Sequence, residues 1–216
     1  MSRKITSIVL KSVIIVASIV GVTLSLVESI SSALFFTIQS NVWIGATCLV
    51  GLAFIIFKVE IKKWMYTVKL IFTVSITLTG VVYCTMLAPL LGDIAYSLSN
   101  TLLHVVVPAA AIADFFVYDI GEYRMWECLL VTVPPFYYLG FAGIGFVRNW
   151  DFGYDGQNYP YFFLNWGSPT GAFGFSSEFP YMGVFYYILI LLVFVIGIGV
   201  LYIWLANLLR RKNEQK

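Results

Sequence analysis

Charge is scarce in this chain. Lys, Arg, Asp and Glu make up only 11% of the 216 residues, whereas hydrophobic residues make up 60% and the mean hydropathy is +0.89. Globular domains carry about a quarter of their residues as charges. A composition this poor in charge excludes an ordinary soluble domain and is typical of an integral membrane protein.

Residues that build metal centres and disulfides are also few. The chain has one histidine, His104, and three cysteines, Cys48, Cys84 and Cys128, which lie apart in apolar segments. An odd number of separated cysteines indicates neither a disulfide framework nor a zinc site, so we expect all three to be small core residues. We expect no metal ion, no other cofactor and no nucleic-acid partner.

Apolar runs of about 20 residues, long enough to cross a bilayer, occur six times in the sequence. The predicted fold is an all-α integral membrane protein, with residues 1–216 forming a single domain of six transmembrane helices. The first run follows two basic residues as a signal peptide would, but it is longer and no A-x-A cleavage site follows it. The predicted helices span residues 6–27, 34–57, 65–87, 98–118, 126–146 and 183–206.

The predicted helices place almost all of the positively charged residues on one side of the membrane. Arg148 is the one basic residue predicted to lie on the other side. Because segments rich in Lys and Arg stay in the cytoplasm, both termini are predicted to be cytoplasmic, in a multi-pass protein of the cell membrane. The basic residues predicted near the cytoplasmic side are Arg3, Lys4, Lys11, Lys58, Lys62, Lys63, Lys69, Arg124, Arg210, Arg211, Lys212 and Lys216.

Two predicted helices carry polar residues near their outer ends. In the second, Thr37, Ser40 and Asn41 share one helix face, and in the fourth Asn100 precedes His104 by one turn. With a rise of about 1.5 Å per residue, Thr37 and His104 lie at similar depth, so they meet if the two helices are neighbours. The alternative is that both polar faces only make interhelical hydrogen bonds, each worth about 0.6–2 kcal/mol.

Pro108 and Asp114, which follow His104 in the same predicted helix, bear on the surroundings of the imidazole. Pro108 has no N–H to bond the His104 carbonyl, so we expect a kink that opens space beside the imidazole. Asp114 lies about 15 Å deeper, at ~1.5 Å per residue, which is too far to orient the imidazole. Its expected partners at the inner surface are Lys62, Lys63 or Arg124.

The connection between the fifth and sixth helices, residues 147–182, is long and rich in aromatic residues and glycine. Loops of this length are uncommon unless they are functional, and aromatic rings suit the membrane interface. We interpret it as an outer lid over a cavity between the helices, or as a belt that only anchors the bundle. The loop residues expected to contact a substrate are Tyr159, Tyr161 and Trp166.

Four motifs resemble a known family: Phe-Phe-Thr-Ile-Gln-Ser-Asn (35–41), Leu-Leu-His-Val-Val-Val-Pro (102–108), Pro-Pro-Phe-Tyr-Tyr (134–138) and Tyr-Pro-Tyr-Phe-Phe-Leu-Asn (159–165). Together they are similar to the androgen-induced membrane protein family, and most of all to its bacterial branch. That resemblance implies a six-span hydrolase of the bacterial inner membrane, of the type that cleaves fatty acid esters of hydroxy fatty acids. It also implies Thr37 as the threonine nucleophile and His104 as the histidine. The chain departs from the family at Asn165, where an acidic residue is expected.

The chemistry expected of this pair is hydrolysis of a lipid or fatty acyl ester through an acyl-threonine. A threonine hydroxyl needs a base within hydrogen-bond reach, and a neutral His104 can accept its proton. A further donor must stabilise the oxyanion, which is typically worth about 3 kcal/mol. Asn41 is the first candidate for this donor and Asn100 the second, with Ser40 as a supporting residue.

Two other functions compete with the hydrolase. A small transporter or lipid-binding membrane protein would use His104 as a proton-sensitive ligand, although transporters often carry internal repeats and charges in mid-membrane. A scaffold would use the polar faces only to hold helices together. Membrane lipids are expected partners in each case, and the sequence leaves the oligomeric state open.

Overall fold

The regular structure of the chain is helical. The computed structural model describes residues 3–118, 120–153 and 156–214, and in this part the only strand-like pairing is one isolated bridge, between Phe175 and Met182. The prediction of six helices able to span a membrane is confirmed. In chain order they are α1 (Arg3–Glu28), α2 (Phe36–Phe57), α3 (Lys63–Tyr96), α4 (Leu98–Val117), α5 (Met125–Val147) and α6 (Val184–Asn213).

Helix α3 is the centre of the bundle. It packs against α2, α4, α5 and α6, and it is the most buried of the six helices, while α1 packs against α2 and α4. Each of the first four helices places an aliphatic side chain in one shared core, and none of the four is more than 1% exposed: Ile14, Ile44, Ile76 and Val107. Because lipid tails are as apolar as these side chains, close van der Waals packing holds this core together.

Helix α3 is longer than the sequence indicates. The prediction ended it at residue 87, and Pro89 and Gly92, residue types that normally stop a helix, follow that point. The chain instead forms a π turn at Tyr83–Leu87, a short α-helix at Ala88–Leu91 and a 3-10 turn at Gly92–Tyr96. Pro89 lies in the first turn of the short helix, directly after the π turn, which closes with the Ala88 N–H donating to the Tyr83 carbonyl.

The expected kink at Pro108 takes the form of a second π turn, Leu102–Val106, which contains His104. Proline lacks an N–H, and its ring pushes away the carbonyl four residues earlier. A π turn shifts the bonding by one residue, and here the N–H of Val107 donates to the carbonyl at the start of the turn. The π turn of α3 likewise ends two residues before a proline. Both widened turns therefore accommodate a proline inside a membrane helix.

Among the cysteines, the predicted core position is right for Cys48 and Cys128, which are buried, and wrong for Cys84, which is exposed. Cys84 lies in the π turn of α3, directly after the buried Tyr83, and is on the outer surface of the bundle.

The predicted partners of Asp114 are wrong. Its carboxylate oxygens both accept hydrogen bonds from Lys11 Nζ at 2.7 Å, and Lys69 Nζ lies 3.1 Å away. The side chain is only 1% exposed. The sequence indicates how deep Asp114 lies along α4 but not which helices it faces, and it faces α1 and α3 rather than the helix ends where Lys62, Lys63 and Arg124 lie.

The aromatic loop packs across one end of the bundle, which we call the loop end. Phe152 is 1% exposed, and its ring centroid lies 6.0 Å from that of Phe35 just before α2. Tyr161 lies 5.6 Å from the same ring, and Trp166 lies 5.5 Å from Phe146 at the end of α5. The loop is thus held against the ends of α2 and α5 by ring-to-ring packing.

Gly80 allows α3 to pack directly against the π turn of α4. A Cβ atom at this position would lie 3.0 Å from the His104 carbonyl oxygen and 3.0 Å from Cβ of Pro108. Neither neighbour is the end of a flexible side chain. This close approach therefore sets the distance between α3 and the turn that carries the histidine.

We expect Gly80→Val to lower the free energy of unfolding by about 1–3 kcal/mol, because the added methyl groups would push α4 away from α3. Thermal or denaturant unfolding of the purified protein in detergent measures this effect. Gly140→Val is the matched control, since nothing lies within 4 Å of a Cβ at Gly140. An equal loss of stability in both variants would contradict the packing role of Gly80.

Candidate active site

Thr37 lies in the first turn of α2. The chain reaches this helix through a 3-10 turn, Ile30–Leu34, and an extended residue, Phe35. The N-cap residue, Phe35, makes no side-chain cap hydrogen bond, and the first turn of α2 contains no acidic residue. Since the first N–H groups of a helix have no acceptor within the helix, the positive end of the α2 dipole lies beside the Thr37 hydroxyl.

Thr37 and His104 are in contact. Thr37 Oγ1 lies 3.2 Å from His104 Nε2, which confirms the prediction that the two polar faces meet. The other ring nitrogen, Nδ1, lies 3.0 Å from the carbonyl oxygen of Asn100. Because a carbonyl can only accept, Nδ1 carries the hydrogen, and a neutral imidazole then has its lone pair on Nε2. The Thr37 hydroxyl therefore donates to His104, as a nucleophile does to its base.

Tyr83 fixes the plane of the imidazole, and the sequence analysis missed it. The two rings are stacked, with centroids 3.7 Å apart and planes 15° from parallel. The Tyr83 hydroxyl donates to the Ala95 carbonyl at 2.7 Å, so the 3-10 end of α3 holds the ring in place. The available signal was Pro89, which widens the turn that begins at Tyr83 in the same way as Pro108 widens the turn around His104.

Asn41 does not have the geometry expected of an oxyanion donor. Its amide nitrogen donates to the Thr37 carbonyl at 2.8 Å and to the Leu103 carbonyl at 3.2 Å. Both amide hydrogens are then in use, and Oδ1 is buried with no hydrogen-bond partner among the described residues. The contacts show that Asn41 joins the first turn of α2 to the π turn that carries His104.

The other two supporting candidates also hold the bundle together. The Asn100 side chain donates to the Ile94 carbonyl at 2.9 Å, and it is the backbone oxygen of Asn100 that contacts His104. Ser40 Oγ lies 3.1 Å from the Thr37 carbonyl oxygen and 2.8 Å from Thr79 Oγ1. Ser40 therefore joins α2 to α3.

An apolar cavity of about 100 Å³ lies beside Thr37. Thr37 lines it and also contacts His104, which is not among the described residues of its wall. Of the three loop residues predicted to contact a substrate, Tyr161 lines the cavity, and Tyr159 and Trp166 are not among the described residues that do so. The loop adds two apolar wall residues that the sequence analysis did not single out, Phe163 and Leu164.

The cavity exists because α5 and α6 separate towards the loop end. Helix α6 packs closely against the 3-10 half of α5, Met125–Thr132, and only weakly against its α-helical half, Val133–Val147. Leu139 of α5 and Leu191 of α6 both line the resulting space. Phe136 also lines it and is 50% exposed, so this wall reaches the outer surface of the bundle.

The groups in hydrogen-bond contact at the site include a hydroxyl, an imidazole, a side-chain amide and backbone carbonyls. Across residues 3–118, 120–153 and 156–214, no three His, Cys, Asp or Glu side chains lie close enough together to hold a metal ion.

Comparison with known proteins identifies no relative. No family model matches the chain, and neither a curated protein nor a solved structure matches it. Arguments about function therefore start from the geometry of the site.

The hydrogen-bond pattern of His104 can be measured directly. Because the chain has a single histidine, nitrogen-15 labelling of histidine yields one pair of ring signals in an NMR spectrum. We expect the hydrogen on Nδ1 and a lone pair on Nε2, and we expect Thr37→Val to shift the Nε2 signal by removing its donor. Thr47→Val is the control, since the Thr47 hydroxyl donates to the Trp43 carbonyl of its own helix. A hydrogen on Nε2, or an Nε2 signal that Thr37→Val leaves in place, would contradict the described contact.

Proposed function

We propose that the protein is an intramembrane hydrolase of lipid or fatty acyl esters, with Thr37 as the nucleophile and His104 as the base. The observation that carries the proposal is the 3.2 Å contact between Thr37 Oγ1 and His104 Nε2 at the wall of an apolar cavity. The motif resemblance to a family of threonine-dependent ester hydrolases points to the same reaction. The substrate class that fits is a fatty acid ester of a hydroxy fatty acid, or a similar neutral ester with long acyl chains.

In the proposed reaction, His104 Nε2 takes the hydroxyl proton as Thr37 Oγ1 attacks the ester carbonyl carbon. The tetrahedral intermediate collapses to an acyl-threonine, and the imidazolium returns the proton to the departing alcohol oxygen. Water then attacks the acyl-threonine with His104 again as base, which releases the acid and restores the hydroxyl. The Asn100 carbonyl and the Tyr83 ring keep the imidazole oriented through both steps.

The oxyanion donors that we propose are the backbone N–H groups of Thr37 and Ile38. They belong to the first turn of α2, where N–H groups have no acceptor within the helix, the N-cap residue supplies no side-chain acceptor and the helix dipole favours negative charge. Donors of this kind typically contribute about 3 kcal/mol to the stabilisation of the transition state. They replace Asn41 in this role, because the amide hydrogens of Asn41 are donated to carbonyls.

The proposed path for the substrate is lateral, from the membrane through the gap between α5 and α6. The cavity wall is almost entirely apolar and includes the half-exposed Phe136, so an acyl chain can pass from lipid to Thr37 without meeting water. With both termini in the cytoplasm of a cell, as the distribution of basic residues favours, the loop end would face the outer leaflet. The substrate would then be drawn from that leaflet.

A fluorophosphonate probe tests the nucleophile on purified protein. We expect covalent labelling of the wild type and of Thr37→Ser, no labelling of Thr37→Ala, and a loss of ~10²–10⁴-fold in labelling rate for His104→Gln, since general base catalysis supplies a factor of that size. Thr47→Val should label as the wild type does, because Thr47 lies further along α2 and donates to its own helix. Labelling that persists unchanged in Thr37→Ala would rule out Thr37 as the nucleophile.

The cavity should select for acyl chain length. We expect Leu139→Trp to fill part of the space beside Thr37 and to lower kcat/KM for long-chain esters by about tenfold or more, with a smaller effect on acetyl or butyryl esters. Ile144→Trp is the control, because Ile144 is 56% exposed on the same helix and does not line the cavity. Equal losses for short and long esters in Leu139→Trp would argue against this cavity as the acyl site.

A further inference from the structure

A second polar site lies in the half of the bundle opposite the loop end. There Lys11 of α1, Lys69 of α3 and Asp114 of α4 meet, with both Lys11–Asp114 oxygen distances at 2.7 Å and the Lys69–Asp114 distance at 3.1 Å. Their side chains are 6%, 14% and 1% exposed. When all three side chains are ionised, two positive charges and one negative charge give the cluster a net charge of +1.

No neighbouring carboxylate of the described chain supplies the missing negative charge. The other buried carboxylate, Glu127, accepts hydrogen bonds from the Thr67 hydroxyl at 2.8 Å and from the Arg124 N–H at 3.1 Å. Lys11 of α1 is enough to neutralise Asp114. Lys69 joins α3 to the same carboxylate, and its positive charge has no second carboxylate beside it in the described part of the protein. An uncompensated charge inside a membrane bundle is costly.

The hydrogen bonds of the two lysines show which of them has donor capacity left. Lys11 Nζ donates to Ser7 Oγ and to both oxygens of Asp114, which uses its three hydrogens. Lys69 Nζ has two acceptors, Asp114 Oδ2 at 3.1 Å and the Asp114 carbonyl at 3.2 Å. One hydrogen of Lys69 therefore has no oxygen or nitrogen acceptor in the described part of the protein, where Nζ also lies 6.0 Å from the centroid of the Phe115 ring.

Lys69 lines a cavity of about 300 Å³ between α2 and α3. That volume is at the lower end of the range for small-molecule sites. The charged cluster forms one part of its wall, and the remainder is largely apolar and includes Trp43, Phe54 and Trp64. The cavity shares no wall residue with the one at Thr37.

We propose that this cavity binds a monoanion with an apolar tail. The anionic group would accept the remaining hydrogen of Lys69 and neutralise the cluster, and the tail would lie along the rings of Trp43 and Trp64. A fatty acid carboxylate and the phosphate of an anionic lipid share this chemistry. The proposal does not depend on catalysis at Thr37.

Quenching of tryptophan fluorescence by a spin-labelled stearic acid, measured on the purified protein in a non-ionic detergent, tests the proposal. We expect saturable quenching by the wild type. Lys69→Met should bind at least about tenfold more weakly because a charge-assisted hydrogen bond is lost, whereas Lys69→Arg should retain the affinity. Lys63→Met is the matched control, since Lys63 is an exposed lysine at the start of the same helix. Thr37→Ala should bind as the wild type does, which separates this site from the proposed active site.

Competition with unlabelled ligands identifies the anion. Displacement by oleic acid but not by dioleoyl phosphatidylglycerol would assign the site to a carboxylate, and the reverse would assign it to a lipid phosphate. Oleyl alcohol should compete at least about tenfold less well than oleic acid, because it lacks the charge. Equal competition by the alcohol on the wild type, or unchanged affinity in a monodisperse Lys69→Met, would overturn the proposal.

Discussion

The arrangement of the site depends on one constraint: inside a membrane, backbone N–H and C=O groups must find partners within the protein. Pro89 and Pro108 each remove a donor from a spanning helix, and each helix responds with a π turn that shifts its hydrogen bonds by one residue. The two widened turns lie beside each other and carry Tyr83 and His104, whose rings stack at 3.7 Å. The position of the imidazole therefore follows from the way the backbone accommodates two prolines.

A second set of contacts relates the imidazole to the hydroxyl. Asn41 donates both to the Thr37 carbonyl and to the Leu103 carbonyl, so one amide holds the start of α2 against the turn that contains His104. This arrangement leaves a buried acceptor of Asn41 without a partner among the described residues, which typically costs about 1–3 kcal/mol. A structure that keeps such a group at the junction of two polar side chains is more readily explained by a demand for fixed geometry than by stability alone.

The sequence predicted well how deep a residue lies along its helix, but it predicted poorly which neighbouring helix the side chain contacts. Apolar runs marked the six helices, and the rise per residue placed Thr37 and His104 at one level. Which helix an amide or a carboxylate faces depends on the rotation and packing of neighbours, so the contacts of Asn41 and Asp114 were not predictable from spacing. Tyr83 was missed for a related reason: its stacking on His104 depends on how α3 packs against α4, and the periodicity of a single helix does not contain that information.

The two cavities differ in a way that bears on the proposed reaction. None of the described residues that line the cavity at Thr37 is charged, which suits a neutral ester and offers no counter-ion to the carboxylate that hydrolysis would produce. The opposite cavity has the reverse character, with a lysine whose charge Asp114 only partly balances. Phe36 lines the cavity at Thr37 and Trp43 lines the cavity at Lys69. Their ring centroids are 5.9 Å apart, so one aromatic contact joins the walls of the two cavities. If both proposals hold, the carboxylate product is more stable beside the charge of Lys69 than in the uncharged cavity at Thr37. This difference in free energy favours release of the product from the site where it forms.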